Sequence, residues 1–368
     1  MDPTTRLLHA IEAPDAGRPA EPDLTLASYL VSDGEPDAAD YLRADHPNWR
    51  DVERVLGALE NADAVLFPSG QAATHAVLAD LARTAGRLVL PEDGYYNTRA
   101  LAAVVADATG VDVATVDLLD LDAVGRALDG GPAALWVETP TNPLLRVADL
   151  AALAAVVASS GAPMIVDNTL ATALRQQPLA FGASASVASL TKGTTGHSDV
   201  LAGAVVTADV DLADRLRAWR TVTGVVPGAF EAWLVARSLR TLAVRSARQC
   251  ATALTLARHL HADGRVVAVH YPGLPPHREV ADRQMTGGYG SVLSFEVDGD
   301  AAAADAVVAA ARLIRPGTSF GGVVSSWERR ARWPAETAPQ SLIRLSVGLE
   351  AAGDLLTDLD QSQAAGVR

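Results

Sequence analysis

Of the thirty basic residues in this 368-residue chain a single one is lysine, and the rest are arginine. It is Lys192, in the stretch "SLTKGTTGHSD" that runs from Ser189 to Asp199. A desolvated lysine can lose its proton and attack a carbonyl carbon to form a Schiff base, which arginine cannot do. Twenty-five positions earlier the apolar run "APMIV" ends in Asp167 and Asn168. A carboxylate and a lysine at neighbouring strand ends suit a pyridine aldehyde cofactor, pyridoxal 5'-phosphate.

That cofactor needs four things. Its aldehyde needs a lysine, and its ring nitrogen needs a carboxylate to keep it protonated, so that the ring draws electrons from the substrate Cα. Its phosphate needs hydroxyls and the N–H groups of a helix N-terminus, and its ring needs a stacking partner. The segment "PSGQAAT" places Ser69, Gly70 and Gln71 between a strand and a helix, where first-turn amides can hold a phosphate; ordinary turn chemistry produces Ser-Gly there as well. Ser189 and Thr191, two positions apart, share one face of an extended segment and add hydroxyls. "EDGYYNT" offers Tyr95 or Tyr96 as a stacking ring, and "ETPTNP" puts Glu138 and Asn142 just after a strand, where turn structure explains the Pro and Asn equally well.

These residues must be carried by a scaffold. From about residue 51 to 210, short apolar runs alternate with alanine-rich helical stretches. The strands read as "AVLFPSG", "RLVLPED", "AALWVETP", "APMIVDN" and "AGAVVTA"; the helices are "NWRDVERVLGALENA", "QAATHAVLADLARTAG", "TRALAAVVADATG" and "VADLAALAAVVASSG". Such alternation predicts an α/β unit, a mainly parallel sheet covered on both faces, with ligand groups beyond the strands' carboxyl ends. A helical stretch over about 228–262 leads to a smaller α+β unit containing "RVVAVHYPGL", "GSVLSFEVDG" and "SLIRLSVGLE". The boundaries expected are 1–50 for an arm without sustained period, 51–235 for the large domain and 236–368 for the small one.

Composition narrows the partners. A net charge of −14 and a pI near 4.9 argue against a nucleic-acid groove or an anionic membrane surface, and favour a small molecule. The lone Cys250 excludes an internal disulfide and a thiolate zinc cluster, and the eight histidines show no metal-ligand spacing. The first residues carry no signal pattern, and no apolar run reaches the ~18 residues of a membrane span, so a soluble cytoplasmic protein is expected.

Taken in order, "YLR", "PSGQAA", "VETPTNPLLRVADL", "VDNTLATALRQQPLAFGAS", "SLTKGTTGHSDVLAGAVV", "TSFGGVVSS" and "LIRLSVGLE" resemble the Cys/Met-metabolism family of pyridoxal-phosphate enzymes over nearly the whole chain. The resemblance implies the aspartate-aminotransferase-like fold (fold type I), whose large domain has a mainly parallel seven-stranded sheet. It implies that Lys192 forms the Schiff base and shuttles protons, that Asp167 pairs with the ring nitrogen, and that Gly70, Gln71, Ser189 and Thr191 hold the phosphate. Tyr95 would stack on the ring and share in catalysis with Lys192, Asn142 would lie near the ring hydroxyl, and Arg344 would clamp the substrate α-carboxylate, with Ser319 in the substrate loop and Glu138 as a further substrate contact. Tyr41 and Arg43 match a pair that reaches a neighbouring subunit's phosphate, which implies a homo-oligomer, a tetramer built from dimers with shared sites.

Three stretches depart from the family pattern. Val324 stands where cystathionine-handling members carry a glutamate associated with the substrate's distal amino group. "YLRADHPNW" lacks the usual "NPT". The segment "ERRARWPAETAPQ" gathers Arg329, Arg330 and Arg332, either a functional cluster or a solvated face, and resembles a group of actinobacterial-type enzymes regarded as cystathionine γ-lyases. The expected reaction is γ-elimination on a sulfur amino acid, cystathionine to cysteine, 2-oxobutyrate and ammonia, with γ-synthase or methionine γ-lyase as alternatives. A non-catalytic binding module of the same fold is a remote alternative, against which the intact set of Lys192, Asp167 and Arg344 argues, and a nucleotide-binding reading of "PSGQAAT" lacks the Gly-Lys-Ser/Thr ending of a phosphate loop.

Overall fold

A computed structural model of the protein describes residues 2–10, 23–31 and 40–366. Seven strands form the first sheet: β1 (Asp63–Phe67), β2 (Arg87–Pro91), β3 (Asp112–Val116), β4 (Ala133–Glu138), β5 (Met164–Asp167), β6 (Ala185–Ser189) and β7 (Gly203–Thr207). Their order is β1-β7-β6-β5-β4-β2-β3. β3, β2, β4, β5 and β6 run parallel, while β7 lies antiparallel to both of its neighbours. The helices of this part are α1 (Pro3–His9), α2 (Pro47–Glu60), α3 (Gly70–Leu81), α4 (Tyr96–Thr109), α5 (Leu121–Leu128), α6 (Leu150–Ser160) and α7 (Val210–Thr223).

The two-residue side-chain period of a strand explains why the central strands are apolar throughout. On β4, Ala134 and Trp136 join a core with Ala76 and Val77 of α3 and Leu216 of α7, whereas Leu135 and Val137 join one with Val124 of α5 and Leu153 of α6. Small residues on α3 and α4 let helix backbones approach the sheet closely, which is how an alanine-rich chain builds this layer.

The remaining elements are α8 (Ala229–Leu239), α9 (Leu242–His261), β8 (Val266–His270), α10 (Arg278–Gln284), β9 (Val292–Val297), α11 (Ala301–Ala310), β10 (Arg315–Pro316), β11 (Ser326–Arg329), β12 (Leu342–Ser346) and α12 (Ala352–Gly366). Here the strand order is β10-β11-β12-β9-β8, and Leu256 and Leu260 of α9 pack on Leu293, Phe295 and Leu345.

Several elements differ from the sequence reading. The stretch 228–262 is two helices separated at Arg240 and Thr241; Val235 and Leu239 of α8 bury against Val52 and Leu56 of α2, while α9 belongs to the second core. Residues 3–9, read as arm, form α1: the Asp2 carboxylate accepts from the Thr4 N–H, Pro3 stands at the first helical position, and Leu7 inserts beside α2. Parts of the expected arm, 11–22 and 32–39, lie outside the described residues. Two strands of the first sheet were not drawn from sequence. β3 is an edge strand with a half-exposed pattern, and β6 ("ASVAS") carries a single large apolar residue, Val187, so neither shows a hydrophobic run.

Candidate active site

The carboxyl ends of three parallel strands deliver the polar groups. Glu138 ends β4, Asp167 ends β5 in direct register with it, and Ser189 ends β6 two residues before Thr191. Facing them is the N-terminus of α3, where the Ser69 hydroxyl accepts from the Ala72 N–H (3.1 Å) and Gly70 and Gln71 form the first turn. A Cβ on Gly70 would sit 2.6 Å from Ser189 Cβ, so glycine is what allows strand end and helix end to meet. All the residues nominated from sequence, except Tyr41, Arg43 and Val324, line a single cavity of about 220 Å³ at this junction.

Asp167 is a buried carboxylate that makes no ion pair with any arginine or lysine among the described residues; its Oδ1 accepts from the Thr169 N–H (3.0 Å). Burial pushes its carboxyl above the ordinary value. A protonated ring nitrogen would supply the missing counter-charge. Glu138, nominated as a substrate contact, has both oxygens occupied: Oε2 accepts from the Tyr95 N–H and Oε1 from the Asn142 N–H, each at 2.8 Å. It holds the Tyr95 and Asn142 segments together. Burial, and then the adjacent Asp167, raise its carboxyl well above the usual range. Thr191 is likewise committed, accepting from the Ala202 N–H (3.0 Å) and donating to the Ala202 carbonyl (3.2 Å), so a phosphate at this end would have to rely on the helix amides and the Ser189 hydroxyl.

Lys192 Nζ donates to Ser319 Oγ at 2.9 Å and lies 5.2 Å above the Phe320 ring. Burial first, then the positive charges of Arg344 and Arg330, lower its pKa to about 8. The amine is thereby brought close to its neutral, nucleophilic form. Arg245 of α9, absent from the sequence reading, fixes the lysine turn by donating to the carbonyls of Gly193 (3.0 Å) and Thr194 (2.9 Å). Gly321 presses the Ser319–Gly321 loop onto that turn: its φ is +84°, and a Cβ there would lie 2.2 Å from Gly193 N.

On the opposite wall Arg344 of β12 is buried. It donates from Nη1 to Asn142 Oδ1 (2.7 Å), and from Nη2 to the Ser319 carbonyl (2.9 Å) and to Glu328 Oε1 (2.8 Å). Desolvation lowers its pKa to about 10, still charged at neutral pH. Ser319, between Arg344 and Lys192, takes a left-handed φ of +76°, rare for a residue with a side chain and held here by those two contacts.

The arginine cluster divides. Arg329 pairs with exposed Asp305 (2.8 Å) and Arg332 is partly exposed, but Arg330 is buried and lines the cavity. Its sequence signal was the three-arginine run itself, and burial is what a solvated-face reading misses. Val324 is exposed and does not line the cavity. Tyr41 is exposed also; the Arg43 guanidinium lies over its ring and donates to the Thr221 carbonyl, away from this chain's own cavity. His197 Nδ1 contacts the Thr195 carbonyl at 2.6 Å.

A family model described as Cys/Met metabolism PLP-dependent enzyme matches residues 4–364. A Streptomyces coelicolor protein provisionally named cystathionine γ-lyase is 41% identical over 97% of this chain and 92% of its own length. A cystathionine γ-synthase of Mycobacterium tuberculosis is 39% identical over 98% of this chain and 96% of its own length. The crystal structure of CalE6 from Micromonospora echinospora, described as a cystathionine γ-lyase, superposes with a TM-score of 0.93 at 38% identity, covering 99% of each chain. A second structure of CalE6 describes it as a methionine γ-lyase.

Proposed function

The chain belongs to the Cys/Met-metabolism family of pyridoxal-phosphate-dependent enzymes, and from that premise we propose that it is a γ-lyase that cleaves L-cystathionine to L-cysteine, 2-oxobutyrate and ammonia. The observation that carries the reading is the convergence on one cavity of Lys192, Asp167 and Arg344, with the lysine amine brought down to about 8.

The residues fit the cofactor: an unpaired buried carboxylate for the ring nitrogen, a helix N-terminus for the phosphate, Tyr95 beside the ring's place, and the lysine. When bound, pyridoxal phosphate supplies an electron sink for the bonds at the substrate Cα. The chain's own groups do the rest. Arg344 receives the substrate α-carboxylate and fixes the orientation of Cα. Lys192 Nζ, its pKa lowered by burial and by Arg344 and Arg330, would in its free neutral form take the proton from Cα. For γ-chemistry a proton must also leave Cβ, and the same amine, held by Ser319 Oγ on the Arg344 side, is the group placed to move it. Loss of the γ-substituent followed by water gives elimination; capture by a thiol gives replacement.

We place Tyr41 and Arg43 at a neighbouring subunit's site, because their side chains lie outside this chain's cavity, in a tetramer built from two dimers. No helix among the described residues is long and apolar enough to cross a membrane. The test is a product assay with L-cystathionine. Cysteine with 2-oxobutyrate supports the reading; homocysteine with pyruvate establishes β-elimination instead. No turnover, with activity on methionine or an O-acylhomoserine, moves the chain to the alternative members.

A further inference from the structure

Glu328 is the hinge of an ion network behind the cavity wall. Its Oε1 accepts from Arg344 Nη2 (2.8 Å) and from Arg330 Nη1 (2.7 Å). Its Oε2 accepts from Arg332 Nε (3.1 Å) and Trp333 Nε1 (3.1 Å). Arg330 Nη2 continues to Glu336 Oε2 (2.8 Å), and the Glu328 and Glu336 side chains are 2% and 4% exposed. Three arginines thus share two glutamates, leaving one positive charge.

We propose that Arg330 is a positioning residue that keeps Arg344 available to the substrate α-carboxylate. Facing Glu328 alone, Arg344 would form a closed, neutral pair, and an incoming carboxylate would meet no net charge. Arg330 takes a share of the same oxygen and also binds Glu336; without it Arg344 and Arg332 would only balance Glu328 and Glu336, and with it the cluster carries one surplus positive charge, that of a single carboxylate ligand. In the low-dielectric interior that surplus acts with little screening. It lies close enough to the chemistry to help depress the Lys192 pKa. This gives the run "ERRARW" its role: Arg330 acts through Glu328, Arg332 lends a weaker, half-solvated share, and Arg329, paired with Asp305, stands outside.

The inference rests on reading Arg344 as the carboxylate clamp, and the test separates the two. Cofactor-loaded enzyme is titrated, by its absorbance, with L-norvaline and with n-butylamine, which differ only in the carboxylate and carry no leaving group. Wild type is expected to prefer norvaline. Arg330→Gln is expected to weaken norvaline by roughly ten- to a hundredfold while butylamine changes less than about twofold. Arg330→Gln with Glu336→Gln restores the net charge and should recover most of the loss; Arg329→Gln should change neither ligand.

Equal weakening of both ligands, unchanged norvaline binding, or a double variant no better than the single one would each overturn the proposal. If Arg330→Gln does not fold, Glu336→Gln alone adds net positive charge and should tighten norvaline only; no such tightening overturns the proposal by that route. A wild type indifferent to the carboxylate removes the clamp itself, and the proposal with it. Absence of cystathionine turnover removes only the γ-lyase reading, since neither ligand turns over.

Discussion

The two walls of the cavity solve charge in opposite ways. On the wall made by the first sheet, Asp167 and Glu138 are buried carboxylates without an arginine or lysine in an ion pair among the described residues, held by backbone N–H groups and pushed towards protonation. On the wall made by the second sheet, Glu328 and Glu336 are just as buried but tied to arginines. Burial opposes ionisation of Glu328, yet Arg344, the Trp333 indole and Arg330 outweigh it and hold its carboxyl below the ordinary value. The first wall is short of positive charge and the second has a surplus. A cofactor with a protonated ring nitrogen would answer the first, and a substrate carboxylate the second, as the proposed function requires.

The comparison can be broken most severely at the lysine between the walls. Lys192→Ala should lower turnover by more than roughly 10⁴-fold, and borohydride reduction should leave no cofactor mass on the chain. In wild-type apoprotein the rate of covalent cofactor capture should rise through pH 8, where the amine becomes neutral, and not near its ordinary 10.5. On the arginine-rich wall, Arg344→Lys keeps the charge but loses the planar fork and its shared bonds to Asn142 and Glu328. A roughly hundredfold fall in kcat/KM, borne mainly by KM, is expected from steady-state kinetics with the substrate the enzyme proves to use.

The smallest effect lies beneath the first wall. Glu60, at the end of α2, is pushed up to about 7 by burial and has one oxygen without a partner. A raised carboxyl pKa contributes stability below its unfolded value near 4.5 and loses it as pH rises through 7. Glu60→Gln should therefore raise stability at pH 8 by on the order of 1–3 kcal/mol and hardly change it at pH 5, as read by denaturant melts.

Much of this was legible in the residues. The strands "AVLFPSG" and "AALWVETP" announce themselves because two-sided burial makes them apolar throughout. β6 does not, although it leads to the lysine, because Ala and Ser fill most of its positions. Lys192 was visible as the one lysine in the chain and Asp167 as the acid at a strand end. Glu138 was visible as a polar strand end, but its role was not, since a carboxylate that receives a ligand and one that receives two backbone amides look alike in a string of letters.

By itself the sequence determined the alternation that builds the parallel sheet and the residue types able to hold a pyridine aldehyde, because hydrophobic period and side-chain chemistry are local properties. Only the tertiary structure decided that Arg330 is buried while Arg329 and Arg332 lean on the surface, that Val324 stands outside the cavity, and that Arg245 braces the lysine turn. Those outcomes depend on which distant segments meet: β11 against β12, Gly321 against Gly193, α9 against the lysine turn. Burial and charge balance are sums over such meetings, and chain neighbours do not contain them.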